Sequence, residues 1–248
     1  MHTILVLGGT SSLALAHVKK RLQTLQSESV AIRILLLGRN AEKLLAEKQD
    51  LSARGAEVTT HACDLSLRPS VDFLKDVDGK IDEVLLAYGT LTENPQAQTD
   101  QKYLEESLTT NFVSATIWLE ALAAHFTENG AGKAIIIGSV AGDRGRQSNY
   151  VYGAAKAGLA TFVRGLQHRF AQHKNISFTL IKPGFVDTQM TAHIQPKGKL
   201  WAQPEKVARI MEKAMLRGSK TAYAPFFWRW IMLAITSTPT FIFHKTKL

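Results

Sequence analysis

Apolar runs of strand length alternate with amphipathic stretches of helix length through most of the chain. Runs such as Ile4-Leu5-Val6-Leu7 and Ala134-Ile135-Ile136-Ile137 are apolar at every position, which is typical of strands covered on both faces of a sheet. This alternation predicts βαβ units, because two parallel strands need a crossover connection between them. We therefore expect an α/β fold with a doubly wound parallel sheet of about seven strands and helices on both faces.

The individual elements are predicted from the same runs. Strands are expected near 2–7, 31–37, 56–60, 81–87, 134–138, 176–181 and 220–224, and helices near 12–26, 41–53, 67–77, 100–128, 151–172 and 204–216. Pro204 suits the first turn of the last helix, since its fixed φ is compatible with that position. Two polar loops, 140–150 and 189–203, are candidate walls of a substrate pocket.

The composition fits one domain followed by a tail. A chain of 248 residues with 45% hydrophobic residues is long enough for a single α/β domain with a sizeable core. We place this domain at 1–225 and the tail at 226–248. The single Cys63 can form no intramolecular disulfide and lacks the spacing partners of a zinc site, so no metal is expected and the reducing cytosol is the expected setting.

The net charge of +9 suggests anionic partners. The basic residues are scattered through the helices and form no dense stripe interleaved with aromatic residues, so the pattern does not favour nucleic acid. A cofactor phosphate, a substrate phosphate or an anionic membrane surface would each be served by this charge, and the composition does not choose among them.

Three polar side chains form the strongest functional signal. Tyr152 and Lys156 are four residues apart in a predicted helix, which places them on one face about 6 Å apart. A free tyrosine ionises near pH ~10, and a neighbouring ammonium is expected to lower that pKa toward the range of a general acid or base. Ser139 follows the apolar run at 134–137, so its hydroxyl is expected at the carboxyl edge of the sheet, where it could polarise a substrate carbonyl.

This constellation resembles the short-chain dehydrogenase/reductase family along nearly the whole chain. The resemblance implies that Ser139, Tyr152 and Lys156 are the catalytic serine, tyrosine and lysine, and that Lys156 also holds the nicotinamide ribose. It implies that Asn111, in Thr-Thr-Asn-Phe-Val-Ser-Ala, supports a proton relay through water. From the residues alone, Asn111 is equally well explained as an exposed or capping polar residue.

The turn after the first predicted strand is the candidate phosphate-binding segment. The family's Gly-x-x-x-Gly-x-Gly is here Gly8-Gly9-Thr10-Ser11-Ser12-Leu13-Ala14, which keeps only the leading glycine. Its small residues still allow a pyrophosphate to approach the helix amino terminus, where free N–H groups and the helix dipole favour negative charge. With the βαβ pattern, this turn predicts a Rossmann-like fold. Its candidate cofactor-binding residues are Gly8, Thr10, Ser11, Ser12 and Leu13.

The end of the second predicted strand indicates which cofactor binds. NAD-specific sites usually carry a carboxylate there, whereas this chain offers Arg39, followed by Asn40. A cation suits a 2'-phosphate, so we predict NADP(H); the simpler explanation is a solvated loop arginine. Asp64 resembles the family's adenine-contacting acid, and its simpler explanation is a helix or turn cap.

Two further segments extend the resemblance. The segment 182–188 is similar to the family's Pro-Gly-x-Val-x-Thr, which implies that Pro183, Gly184, Val186 and Thr188 meet the nicotinamide carboxamide. The segment Leu86-Ala87-Tyr88-Gly89 replaces the usual Asn-Asn-Ala-Gly and keeps only Gly89 as a candidate cofactor contact.

The departures from the family pattern resemble one branch, the reductases of polyprenyl-phosphate-linked 2-keto-pentoses. In that branch a partner flavoprotein oxidises the sugar carbon and the reductase returns it with inverted stereochemistry. Bacterial 3-ketosphinganine and 3-oxoacyl reductases share several of the same features. A non-catalytic NADP(H)-binding module is the alternative from another class, and the complete Asn-Ser-Tyr-Lys set disfavours it.

The tail has an amphiphilic pattern of its own. Residues 226–235 are apolar except Arg229, and a polar break separates them from Phe241-Ile242-Phe243-His244-Lys245-Thr246-Lys247. Neither piece reaches the ~20 apolar residues of a spanning helix. The pattern fits an anchor at the inner face of the membrane, with Trp228 and Trp230 at headgroup depth and Arg229, Lys245 and Lys247 toward anionic lipid. It fits equally well a subunit interface of a homo-oligomer, and the two can coexist.

The sequence therefore predicts a cytoplasmic NADPH-dependent carbonyl reductase, with Lys197, Lys199 and Arg144 as candidate contacts for a substrate phosphate.

Overall fold

The computed structural model describes residues 1–66, 73–74 and 77–246. Seven parallel strands form one sheet in the order β3-β2-β1-β4-β5-β6-β7. They are β1 His2–Leu7, β2 Ile32–Gly38, β3 Glu57–Ala62, β4 Glu83–Leu86, β5 Gly132–Ile137, β6 Ile176–Pro183 and β7 Thr221–Ala224. The predicted α/β fold is confirmed, and the order reverses between β1 and β4, which is where such sheets open a crevice for ligands.

Helices connect the strands. In the described residues they are α1 Ser12–Ser27, α2 Ala41–Ala53, α3 Asn94–Thr99, α4 Gln101–Leu108, α5 Ser114–Asn129, α6 Tyr150–Arg169, α7 Pro204–Leu216, α8 Trp228–Ser237 and α9 Thr240–Phe243. The sequence did not predict α3, α8 or α9. The helix predicted near 67–77 lies largely outside the described residues, as does Lys247.

The helix predicted at 100–128 is divided. A π-helical turn, Thr109–Val113, separates α4 from α5. Asn111 lies in this turn, and its side-chain nitrogen donates to the carbonyl of Ser107 at 3.0 Å. Periodicity could not show the division, because one extra residue in a helical turn leaves an apolar pattern nearly unchanged.

The strands alternate their side chains between two cores. Ile4 and Val6 of β1 pack on one face of the sheet, where α1, α2 and α7 supply the covering leucine, valine and methionine side chains. Leu5 and Leu7 pack on the other face, under Trp118 of α5 and the apolar residues of α6. Successive side chains of a strand point to opposite faces, so the run 4–7, which is covered on both sides, is apolar at every position.

A buried ion pair joins the amino end of the sheet to α1. The Arg21 guanidinium donates to both carboxylate oxygens of Glu83, at 2.7 to 3.1 Å, and His2 Nε2 lies 3.0 Å from the same carboxylate. Burial raises the pKa of Glu83, but the hydrogen bonds from His2 and Arg21 outweigh it and hold the pKa at about 2. The pair fixes α1 against β4.

Among the described residues, no helix combines the length and apolarity needed to cross a membrane.

We expect Arg21→Ala to lower the free energy of unfolding by about 3–5 kcal/mol at pH 7, since it leaves the Glu83 carboxylate buried without its main partner. Glu83 has a depressed pKa when folded, so its pairing stabilises the fold above the unfolded pKa of ~4.3 and is lost as pH falls toward 2. Urea unfolding at pH 7, 4 and 3 should therefore show the difference between wild type and variant shrinking.

The control is Arg54→Ala, which removes an exposed pair with Asp50 and should cost less than about 1 kcal/mol. A difference for Arg21→Ala that stays constant with pH would contradict this account of Glu83.

Candidate active site

The predicted site residues lie at the carboxyl edge of the sheet. Ser139 follows β5, Gly89 follows β4, and Gly184 follows β6, while Tyr152 and Lys156 lie on the first turns of α6. Parallel strands end at one edge, so segments far apart in sequence are brought together there.

Ser139 and Tyr152 are in direct contact. The Ser139 hydroxyl accepts a hydrogen bond from the backbone N–H of Ala141 at 3.0 Å and is hydrogen-bonded to the Tyr152 hydroxyl. Burial raises the pKa of Tyr152 to about 12, and the bond to Ser139 offsets part of that rise. The phenol is therefore protonated at neutral pH.

Lys156 is buried beside this pair. Its side chain reaches back under β5, where Nζ donates to the carbonyl of Ile137 at 3.2 Å and lies 5.7 Å from the centre of the Tyr152 ring. Burial lowers the pKa of Lys156 to about 8. We expected the lysine to lower the pKa of Tyr152, but the structure shows the opposite balance, because burial disfavours the charged form of both groups.

Asn111 and Lys156 converge on Gly89. A Cβ placed on Gly89 would lie 2.8 Å from Asn111 Oδ1 and 3.6 Å from Lys156 Nζ, so the missing side chain leaves room for both. Asn111 is 1% exposed. Its Oδ1 accepts from the N–H of Thr90 at 3.1 Å and its Nδ2 donates to Thr90 Oγ1 at 3.2 Å. The amide is thus held in one orientation by its hydrogen bonds, and it is neither exposed nor a cap.

Two glycines allow the turn at 139–142, the serine turn, to pack closely against α6. Their role was not predicted from the sequence. A Cβ on Gly142 would lie 2.7 Å from the backbone nitrogen of Ala157 and from the backbone carbon of Lys156. A Cβ on Gly153 would lie 2.9 Å from the carbonyl oxygen of Ala141. The Ser139–Tyr152 bond depends on this close approach. The available signal was a glycine three residues after Ser139 and another directly after Tyr152.

The turn between β1 and α1 lies at the reversal of strand order. Gly8 has a φ of +101°, and a Cβ there would lie 2.8 Å from the backbone nitrogen of Tyr88. Ser11 is the N-cap of α1, and its hydroxyl accepts from the N–H of Ala14 at 3.5 Å. Ser12 and Leu13 begin the helix, whose first N–H groups have no partner within the helix and suit an anionic ligand. Thr10 is partly exposed in the same turn.

Arg39, Asn40 and Asp64 lie at the ends of β2 and β3. Arg39 is exposed, and Asn40 caps α2 by accepting from the N–H of Lys43 at 2.9 Å. Asp64 accepts from the N–H and the hydroxyl of Ser66. The turn before α1 and the exposed cation after β2 together fit a dinucleotide with an added phosphate.

The segment after β6 packs against α8. Pro183 ends β6, Val186 pairs with Ala202 in a short bridge, and Thr188 caps the short 3-10 turn Gln189–Thr191. A Cβ on Gly184 would overlap the indole of Trp228. The structure corrects the sequence expectation that Trp228 lies at headgroup depth, since this residue is 3% exposed and packs inside the protein.

Two of the candidate phosphate contacts are engaged within the protein. Arg144 donates to backbone carbonyls at the end of α8, at 2.5 Å to Ile235 and 2.6 Å to Thr238. Lys197 pairs with Asp187. Both cations therefore have structural partners that a substrate phosphate would have to displace, while Lys199 is exposed.

The arrangement defines a class of protein: a Rossmann-like α/β domain whose site sits at the carboxyl edge of a parallel sheet. The comparisons with known proteins agree. Residues 2–199 match the family model described as short chain dehydrogenase. An uncharacterized oxidoreductase of Mycobacterium tuberculosis is 31% identical, across 98% of this chain and 96% of that protein. Carbonyl reductase family member 4 of Danio rerio is 29% identical, across 72% of this chain and 78% of that protein.

A solved structure shows the same fold. The short-chain dehydrogenase from Sphingobium yanoikuyae in complex with NADPH superposes with a TM-score of 0.81, at 20% identity, over 97% of each chain. This chain belongs to the short-chain dehydrogenase/reductase family, whose members are NAD(P)-dependent oxidoreductases.

We expect Gly142→Ala to lower nicotinamide-dependent turnover roughly ten- to hundredfold, because the new Cβ pushes the serine turn away from α6 and small misplacements of reacting groups are costly. The matched control is Gly145→Ala in the same loop, where a Cβ would meet no atom within 4 Å and turnover should be unchanged. Equal turnover by the two folded variants would show that the close approach is unimportant.

Proposed function

We propose that the protein is an NADPH-dependent carbonyl reductase that acts on a lipid-linked substrate. The observation that carries this proposal is the convergence of Ser139, Tyr152, Lys156 and Asn111 at one edge of the sheet. NADPH, when bound, supplies the hydride. The residues of this chain bind the carbonyl, donate a proton to its oxygen and then reprotonate the donor.

Each residue has a role that follows from its protonation state and contacts. Tyr152 is protonated at neutral pH, so it can donate to the oxygen that gains negative charge as the hydride arrives. Ser139 binds that same oxygen. Lys156, with a pKa of about 8, is mostly an ammonium at pH 7 and can return a proton to Tyr152 through a relay that the locked amide of Asn111 supports. Lys156 would also bind the nicotinamide ribose.

The cofactor proposal rests on Arg39. Its side chain is exposed beyond β2, where a 2'-phosphate would be recognised and where a carboxylate would repel it. Thr10, Ser11, Asn40 and Asp64 would complete the adenosine side. Pro183, Gly184, Val186 and Thr188 would complete the nicotinamide side.

We expect Arg39→Asp to reverse or abolish a preference for NADPH over NADH, measured as the ratio of the two kcat/KM values. Arg54→Asp, at another exposed arginine, is the control and should leave the ratio unchanged. An unchanged ratio for Arg39→Asp would remove the support for this reading of the loop.

The proposed substrate is a polyprenyl-phosphoryl 2-keto-pentose, which a partner flavoprotein oxidase would supply. A 3-ketosphinganine or 3-oxoacyl substrate would use the same catalytic residues, and a non-catalytic NADP(H)-binding role would leave them unused. The loops 140–150 and 189–203 flank the site and would contact the group that distinguishes these ketones.

The test is NADPH oxidation by the purified protein with a polyprenyl-phosphoryl 2-keto-pentose and with 3-ketosphinganine, side by side. We expect turnover of the first, and we expect Tyr152→Phe to abolish it with little change in NADPH affinity, because only the acid is removed. Turnover of the second ketone alone would assign long-chain lipid synthesis. Full turnover by Tyr152→Phe would reject the mechanism.

The tail has an exposed apolar surface that could bind the membrane in which a lipid-linked substrate would lie. Phe226, just before α8, and Trp230 and Leu233 on the helix are each more than half exposed; we call them the outer face of α8. No acidic residue occurs after Glu212, and Arg229 lies 5.8 Å from the Trp230 ring centre. Exposed aromatics beside cations suit an anionic membrane surface, where each basic residue contributes about 1 kcal/mol. A cytoplasmic protein bound peripherally at the inner face of the membrane is the setting we propose, and a homo-oligomer is compatible with it.

We expect the protein to sediment with phosphatidylglycerol vesicles and much less with phosphatidylcholine vesicles. Leu233→Ser should weaken this binding, whereas Leu45→Ser on α2 should not, although the two leucines are exposed to nearly the same extent, 53% and 52%. If vesicles do not bind and Leu233→Ser instead dissociates an oligomer, the outer face is a subunit interface.

A further inference from the structure

The residues that follow Ser139 contact the C-terminal segment. Val140, the next residue, is 6% exposed and packs in a small apolar cluster with Trp228 and Met232 of α8. Trp228 also lies against Gly184 on the nicotinamide side of the proposed site. The inner face of α8 therefore touches both segments between which a substrate carbonyl would bind.

Arg144 makes the most specific of these contacts. It lies in the loop after Ser139, and its guanidinium donates to the carbonyls of Ile235, Thr236 and Thr238, which include the last carbonyls of α8. The last turn of a helix leaves such carbonyls without partners and carries partial negative charge. The same guanidinium lies 3.8 Å from the ring centre of Phe243 in α9. Arg144 thus joins the serine loop to both C-terminal helices.

Asp143, the residue before Arg144, connects the same loop to the sheet. Its carboxylate pairs with the Lys182 ammonium and accepts from the Tyr223 hydroxyl at 2.9 Å. Lys182 is 8% exposed and directly precedes Pro183. Asp143 ties the loop to β6 and β7, and Arg144 ties it to the tail, so the Ser139 turn is fixed at two consecutive residues.

We propose that Arg144 is a positioning residue, through which the C-terminal segment 228–243 fixes the turn that carries Ser139. The inference rests on the proposed function, because it assumes that Ser139 binds the carbonyl oxygen. The inner face of the tail would then support catalysis, independently of any membrane or subunit that binds the outer face.

A displaced serine would affect one step of the reaction. Ser139 stabilises the oxygen as negative charge develops on it, and an interaction made mainly in the transition state changes kcat more than KM. The proposed dinucleotide contacts lie at the ends of β1, β2, β3, β4 and β6 and on α6, whereas the contacts of Arg144 are to α8, Thr238 and α9. Loss of the Arg144 contacts should therefore lower kcat and leave cofactor affinity unchanged.

The experiment compares Arg144→Gln and Phe243→Ala with wild type, using whichever of the two ketones wild type reduces. We expect kcat to fall roughly ten- to hundredfold for Arg144→Gln and by less for Phe243→Ala, with KM and the NADPH Kd within about twofold. The matched control is Phe241→Ala, at a residue of the same short helix that is 70% exposed and should leave kcat unchanged.

Hydrogen exchange of the peptide spanning 138–146 gives a second readout that needs no turnover. We expect faster exchange in Arg144→Gln, because the backbone bonds Gly142 N–H to Ser139 and Asp143 N–H to Val140 would open more often. Unchanged kcat, or unchanged exchange in this peptide, would overturn the proposal. If wild type reduces neither ketone, the proposed function fails, and hydrogen exchange still decides the role of Arg144.

Discussion

The contact of the Lys156 ammonium with the Ile137 carbonyl is the constraint on which the geometry of the site depends. A buried ammonium is unfavourable unless a hydrogen bond compensates for lost water, so this bond draws the first turns of α6 toward the end of β5. That approach requires the backbone of α6 to lie against the serine turn, which is possible because Gly142 and Gly153 have no side chains. The Ser139–Tyr152 bond is the result, because Gly142 and Gly153 let the turn after Ser139 pack directly against the backbone of α6.

Burial acts on charges at both ends of the sheet, with different outcomes. At the amino end, Glu83 has a guanidinium and an imidazole as partners, so it stays ionised and contributes to stability. At the carboxyl edge, Tyr152 and Lys156 have only neutral partners among the contacts described, a hydroxyl and a carbonyl. Their pKa values therefore move toward the neutral forms. Lys156, with a pKa of about 8, can change its protonation state near neutral pH and is therefore suited to proton transfer.

The sheet and most helices could be predicted because apolar periodicity is a local property of the sequence. The fully apolar runs 4–7 in β1 and 134–137 in β5 were predicted to be strands covered on both faces, and the two cores confirm this. The π-helical turn at Asn111 could not be predicted, because it is stabilised by contacts to Thr90, which is 21 residues away. The roles of Gly142 and Gly153 were equally hidden, since a glycine in sequence does not show which backbone it will meet.

The tail shows why an apolar pattern alone does not identify its partner. Residues 226–235 are almost uniformly apolar in sequence, and an interfacial anchor would place both tryptophans toward lipid. In the structure the two tryptophans lie on different faces of α8. Trp228 fills the space beside Gly184, whereas Trp230, two residues later, faces outward. One segment can therefore support the site with one face and present the other for binding. Gly184 is the sequence feature that reveals the inner face, because only a residue without a Cβ leaves room for an indole at that point.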